Sequence, residues 1–196
     1  MNKYATLIAI VLAIALLVLI FGSWLLSALP FIAEVRSLLS SEGIRWFLGR
    51  MVDNLSSPAV VWLALLSMAW GSVRNSGLMH VSLRTASLRE RMALTVIAIE
   101  VLVGLLLLIL LAFVPHAVLL NVTGTLVPGP LVGSFVPCVC LLAVVTGSTF
   151  GVLTERLHSV YDICNSMADG IRLTASWWLP LFLFLQVLAA ARYVFF

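Results

Sequence analysis

The chain has 196 residues, of which 63% are hydrophobic and only 10% are charged. A soluble domain typically contains about 25% charged residues, and no soluble fold of this size could keep so much apolar surface away from water. The composition excludes a soluble protein, and the basic residues argue against a nucleic-acid-binding one, because they are scattered between apolar runs rather than gathered in one stripe.

Five apolar stretches are each long enough to cross a membrane, which requires about 20 residues. In chain order they are residues 4–29, 58–78, 92–114, 131–153 and 175–194. The first continues well beyond the roughly 7–15 apolar residues of an ordinary signal peptide, so we interpret it as a retained helix. The predicted fold is all-α: one polytopic membrane domain over residues 1–196, with about five transmembrane helices.

Two connecting segments have the periodicity of amphipathic helices. In residues 41–55 the apolar side chains share one helical face, and they are Ile44, Phe47, Leu48, Met51, Val52 and Leu55. This helix is expected either to lie on the outer membrane surface, with Trp46 at headgroup level, or to pack against the protein. In residues 159–173, Ser159 and Asp162 have the spacing of a capping box, which predicts a second amphipathic helix that leads into the last span.

The distribution of basic residues predicts the orientation. If the N-terminus is inside, seven Lys and Arg residues fall in inner segments and four in outer ones, and the outer loop at 115–130 contains none. Because inner loops are enriched in Lys and Arg, we expect a bacterial-type inner-membrane protein with a cytoplasmic N-terminus and an external C-terminus.

Catalytic and metal-binding patterns are absent from the sequence. His80, His116 and His158 lie at three separate boundaries, and the pair Cys138 and Cys140 has no further Cys or His nearby. A metal site needs more ligands than this pair provides, and no known catalytic motif is present. We therefore expect neither an enzyme, nor a metal site, nor a cofactor.

Glu100 is the one ionisable residue well inside a strong predicted span. A carboxylate at that depth is costly, and such residues usually line a cavity or pair with another polar group. Glu100 is therefore a candidate transport or coupling residue that could relay a proton or cation. The alternative is a protonated or hydrogen-bonded packing residue.

Four further residues in the later spans could break a helix or allow close packing. A proline inside a helix removes a backbone hydrogen bond, and small residues let helices approach one another. The candidates are Pro137, Gly147, Pro180 and Gln186. Broken helices are used by transporters to surround a substrate, but the same residues also occur in ordinary membrane helices.

Two stretches resemble a known family. One contains Ser-Ser-Glu-Gly-Ile-Arg-Trp at 40–46 and continues through Asn54 and Leu55 to Asn75-Ser-Gly-Leu78; the other covers residues 151–170 and the span that contains Gln186. Together they resemble scaffold-like segments of the p-aminobenzoyl-glutamate transporter family (AbgT), in the family's order. The Ser-rich and Arg-Ile-Gly-Asp substrate stretches of that family are not found here, so the resemblance assigns no substrate residue.

The resemblance implies a much shortened AbgT-type transporter that moves a small anionic aromatic amide. The family's dimers imply a homo-oligomer. The alternative is a membrane scaffold or accessory subunit that does not transport and that belongs to a larger complex. In either case the lipid bilayer is the expected surrounding, and no nucleic-acid partner is expected.

Overall fold

The computed structural model describes residues 3–29, 35–81, 87–113 and 130–196. Within these ranges the chain is helical and contains no β-strand, which confirms the predicted all-α class. The helices are α1 (Lys3–Ser27), α2 (Ser41–Gly49), α3 (Met51–Leu55), α4 (Pro58–Ser76), α5 (Leu88–Phe113), α6 (Pro130–Leu153) and α7 (Val160–Phe195), with a 3₁₀ turn at Leu78–His80. Residues 115–129 of the predicted outer loop, including His116, lie outside the described residues.

Among the described residues, four helices are long and apolar enough to cross a membrane, namely α1, α5, α6 and α7, where the sequence predicts five spans. The predicted span at 58–78 does form a helix, α4, of 19 residues, but α4 is not among those four. Its buried residues are small or polar, and they are Ser67, Ala69, Gly71, Ser72 and Ser76. These residues pack against protein, so α4 does not need the apolar composition of a lipid-covered helix.

Two boundaries differ from the prediction. The predicted helix at 41–55 is divided at Arg50 into α2 and α3. The predicted helix at 159–173 and the last span form one continuous helix, α7, of 36 residues. At 1.5 Å per residue α7 is about 54 Å long, which exceeds the roughly 30 Å hydrocarbon core of a bilayer. One end of α7 must therefore extend beyond that core.

The chain divides into two compact units, Met1–Val60 with Thr174–Phe196, and Val61–Leu173. In the first unit, Leu38, Ala190 and Val194 form a small buried core. Two hydrogen bonds attach the segment before α2 to this core. The Leu38 N–H donates to the Ser23 hydroxyl on α1 (3.1 Å), and the Arg36 N–H donates to the Val194 carbonyl on α7 (3.2 Å).

In the second unit, α5 and α6 pack as an antiparallel pair. Contacts run from Arg89 with Glu155, through Glu100 with Thr149, to Gly104 against Leu142, so that residue numbers rise along α5 and fall along α6. Ala93, Ile97 and Phe150 form the buried core of this pair.

Small residues allow α4 to approach both α6 and α7 within the second unit. A Cβ added at Gly71 would overlap the Ser166 carbonyl, and one added at Gly170 would overlap the Ser67 carbonyl. A Cβ at Gly147 would lie 2.8 Å from the Ser72 hydroxyl. Close backbone approach of this kind is typical of membrane helices, where small residues maximise van der Waals contact.

Polar side chains organise the ends of these helices. At the start of α7, Asp162 and Ser159 exchange backbone-to-side-chain hydrogen bonds of 3.2 and 3.0 Å, which is the predicted capping box. At the end of α6, Glu155 adopts a left-handed φ of 57°. The N–H groups of Glu155 and Arg156 donate to the carbonyls of Val152 (3.0 Å) and Gly151 (2.8 Å), which is the Schellman pattern that ends a helix.

Candidate functional site

Glu100 lies on α5 and faces α6. It is twelve residues after the start of α5 at Leu88, or about 18 Å along the helix axis. The Thr149 hydroxyl on α6 donates a hydrogen bond of 2.9 Å to Glu100 Oε1. Both side chains are half-buried. Sequence reasoning singled out Glu100 but did not identify Thr149 as its partner.

The second carboxylate oxygen of Glu100 lies in an apolar setting. Oε2 is buried and has no hydrogen-bond partner among the residues that the structure describes. Glu100 also lines a groove of about 410 Å³ between α5 and α6. The other lining residues are uncharged and almost all apolar, and they are Val103, Gly104, Leu107, Leu108, Leu111, Cys138, Leu141, Leu142 and Val145. Glu100 is therefore the only acidic residue that lines this groove.

Charged side chains hold one end of the α5–α6 pair. Arg89 forms an ion pair with Glu155 (2.5 Å), and Arg156 lies 4.0 Å from Glu90. The Arg89 and Glu155 side chains are about two-thirds exposed, so the pair adds little stability. The pair lies at the same end of α5 and α6 and agrees with the antiparallel register in which Glu100 meets Thr149.

The environment of Glu100 is unusual for a carboxylate. A lone carboxylate surrounded by apolar groups is costly to bury, and the Thr149 hydroxyl offsets only part of that cost. Among the described residues no group of three or more His, Cys, Asp or Glu side chains is placed to hold a metal ion.

The structure places the other predicted residues of the spans in packed positions. Helices α6 and α7 continue through Pro137 and Pro180 without interruption. Gly147 packs against Ser72 on α4. Gln186 is 5% exposed, and neither its amide oxygen nor its amide nitrogen has a partner among the described residues. None of these four residues lines the Glu100 groove.

The predicted interfacial residues divide into two groups. Trp46 stacks on the Tyr193 ring with centroids 4.3 Å apart, and Phe47 packs against the core of the first unit. Ile44 and Met51 are each 47% exposed. The apolar stripe is thus only partly covered by protein, and Trp46 is one of the residues that contact protein.

Comparison with known proteins gives one finding. The model of the AbgT transporter family matches residues 85–194, which is more than half of the 196-residue chain. The chain belongs to the AbgT transporter family. No curated protein and no solved structure matches it.

The AbgT match covers all of α5 and α6 and nearly all of α7. Glu100, Thr149 and the ion pairs at the end of α5 and α6 therefore lie within the family segment. The second stretch of resemblance noted in the sequence, at 151–170, also lies within it, whereas the first, at 40–78, precedes it. Membership of this family and four apolar helices make the chain a multi-pass membrane protein with a transporter-type segment.

Proposed function

We propose that this AbgT-family protein is a reduced transporter that moves a small anionic aromatic amide across a bacterial-type inner membrane, with Glu100 as its proton-coupling residue. The observation that carries the proposal is the Glu100 carboxylate, bound by Thr149 through one oxygen and unpartnered at the other among the described residues. Family membership supports the transport role, and the substrate class follows from the sequence resemblance.

The physical basis of coupling is the change in charge at Glu100. When the carboxylate is ionised, it is poorly compensated in the apolar groove, and when it is protonated it can rest there at low cost. A conformational change that exposed Glu100 to water would release the proton. Binding and release of a proton would then favour different conformations, as coupling requires.

Uptake of radiolabelled p-aminobenzoyl-glutamate into proteoliposomes with an imposed pH gradient tests this proposal. Glu100→Gln keeps the shape of the side chain and loses its titration, so we expect gradient-driven uptake to be abolished while the protein stays folded. The matched control is Glu90→Gln, on the same helix but in its first turn near Arg156, which should retain uptake. Full uptake by Glu100→Gln would remove Glu100 from any coupling role.

A non-transporting scaffold is the second candidate. The surface that a scaffold would offer is on α5, since only 6% of its most apolar stretch is buried by the described residues. In the scaffold another membrane protein, or a second copy of this chain, would cover that surface, whereas in the transporter lipid would cover it. Purification in a mild detergent distinguishes the two functions: other subunits recovered in fixed ratio, together with no uptake by the purified chain, would favour the scaffold.

The proposed orientation, with the N-terminus in the cytoplasm, can be tested through a native thiol. Cys164 is exposed near the start of α7, a region expected inside. In a Cys138→Ala, Cys140→Ala background, an impermeant maleimide should label Cys164 only after cells are permeabilised. Adding Arg45→Cys on α2, which is expected outside, should give labelling in intact cells. Labelling of Cys164 in intact cells without the added cysteine would show that the orientation is opposite to the one proposed.

A further inference from the structure

A second cavity, distinct from the Glu100 groove, lies within the first unit. It has a volume of about 520 Å³ and is lined by Arg36, by Trp46 on α2, by α3 and the residues that flank it, and by the C-terminal end of α7. Three arginines line it, Arg36, Arg50 and Arg192, together with one carboxylate, Asp53. The three guanidinium groups form no salt bridge with any of the described residues.

The charge balance of this cavity favours an anion. Three arginines and one aspartate give a formal excess of two positive charges. The C-terminal end of α7 contributes a partial charge of only about −0.5, so the lining side chains outweigh it. Asn54 adds an uncharged donor, since its Nδ2 is buried and has no partner among the described residues.

Aromatic packing fixes the wall on which the arginines are mounted. Trp46 stacks on Tyr193, and the Arg36 guanidinium lies 6.0 Å from the centre of the Tyr193 ring. The Arg50 backbone N–H donates to the Trp46 carbonyl (2.9 Å) at the end of α2, so Arg50 follows Trp46 by one helical turn. The stacked rings thus give the cavity one ordered wall, and less entropy is lost on binding when the wall is already formed.

Part of the lining is apolar and belongs to α7, which is long and apolar enough to cross a membrane. Leu188 and Leu185 line the cavity one and two turns before Arg192 on α7. Arg192 is in the last turn of that helix, from which a long cationic side chain can reach the membrane surface. With Arg192 at that surface, the two leucines would lie deeper in the apolar layer, and the cavity would be cationic at its surface end and apolar at the other.

From this polarity we propose that the cavity binds an anionic phospholipid, with the headgroup phosphate held by Arg50, Arg192 and Arg36 and an acyl chain along Leu185 and Leu188. Arginine suits phosphate because its planar guanidinium can donate two parallel hydrogen bonds. Basic pockets beside membrane helices are a recognised way to bind such headgroups. The inference does not rest on the transport proposal, because it uses only residues of the first unit.

The test uses purified full-length protein in detergent, with the thermal midpoint and native mass spectrometry as readouts. Phosphatidylglycerol should raise the midpoint and remain bound, whereas phosphatidylcholine, with no net charge, should do neither to the same extent. Inorganic phosphate at equal concentration shows whether a free phosphate ion raises the thermal midpoint as well as a lipid headgroup does. If phosphate alone reproduced the rise, or if both lipids raised the midpoint equally, the proposal would be overturned.

Variants locate the effect. Each arginine near an anionic headgroup contributes roughly fivefold in affinity, so Arg50→Gln/Arg192→Gln should weaken phosphatidylglycerol binding by about 25-fold. Arg45→Gln is the matched control, since Arg45 is exposed on α2 and does not line the cavity. Asp53→Asn removes the one acidic group of the lining and should tighten binding. The two variants change the charge of the lining in opposite directions, so they serve as independent tests. If neither changed the affinity for phosphatidylglycerol, the assignment of the cavity would be contradicted.

Discussion

The Thr149 hydroxyl donates a hydrogen bond of 2.9 Å to Glu100 Oε1 and joins α6 to α5 where the surroundings are otherwise apolar. Glu100 is the only charged residue of α5 beyond its first turn, and α6 contains no charged residue. The strength of the hydrogen bond should depend on the charge of Glu100, because a hydrogen bond to an ionised group is about twice as strong as one between neutral groups.

Replacement of Thr149 by Val should therefore destabilise the protein. The substitution keeps the side-chain shape and leaves the Glu100 carboxylate without its donor, at a cost of about 1–3 kcal/mol in the free energy of unfolding. Thermal unfolding in detergent measures this, and Thr149→Ser, which keeps the hydroxyl, is the control. In a Glu100→Leu background the penalty for Thr149→Val should largely vanish, because coupled residues are not additive. Equal penalties in both backgrounds would show that the contact contributes nothing.

The small-residue packing of α4 against α7 should be sensitive to a single methyl group. Gly170→Ala would place Cβ against the Ser67 carbonyl, and since backbone cannot move aside cheaply, we expect a loss of at least about 1–3 kcal/mol in stability. Gly133→Ala is the matched control on α6, because among the described residues no atom outside its own helix turn lies within 4 Å of the added Cβ. There the better helix propensity of Ala should stabilise by about 0.5–1 kcal/mol. If the two variants melted alike, the close approach of α4 and α7 would be disproved.

Glu155 should be a position at which glycine is preferred. It has a left-handed φ of 57°, which costs a residue with a Cβ about 1–2 kcal/mol. Glu155→Ala and Glu155→Gly both remove the ion pair with Arg89, so their difference isolates the backbone cost. We expect the Gly variant to be the more stable by about 1 kcal/mol in a thermal melt. A more stable Ala variant would argue against a left-handed backbone conformation at residue 155.

Phe47 and Met51 should respond differently to Asp, although both lie on the predicted apolar face. Phe47 packs against the Leu38, Ala190 and Val194 core, so Phe47→Asp buries a carboxylate without a partner and should cost several kcal/mol. Met51 is 47% exposed, so Met51→Asp should leave the thermal midpoint in detergent almost unchanged. A similar drop for both variants would show that the whole apolar face is covered by protein.

Much of the architecture could be predicted from the sequence because it depends on local properties. Composition alone required a membrane protein, since apolar surface on this scale must be covered by lipid. The helical ends at Ser159 and Asp162 were predictable because a capping box depends on residues three apart. Glu100 was predictable as a candidate because a carboxylate within an apolar run is costly wherever the helix packs.

Other features depended on residues far apart in the chain, and only the tertiary structure decided them. Thr149 is 49 positions from Glu100, and no local pattern distinguishes it from other hydroxyl residues on the same helix. Arg36, Arg50 and Arg192 look like scattered topological signals in the sequence, but the fold brings them to one cavity. Hydropathy predicts α4 as a span of its own, whereas its small and polar face is explained by the helices that pack on it. The sequence by itself determined what each helix is made of; which side chains meet was decided by helix packing, which depends on the shapes of both partners.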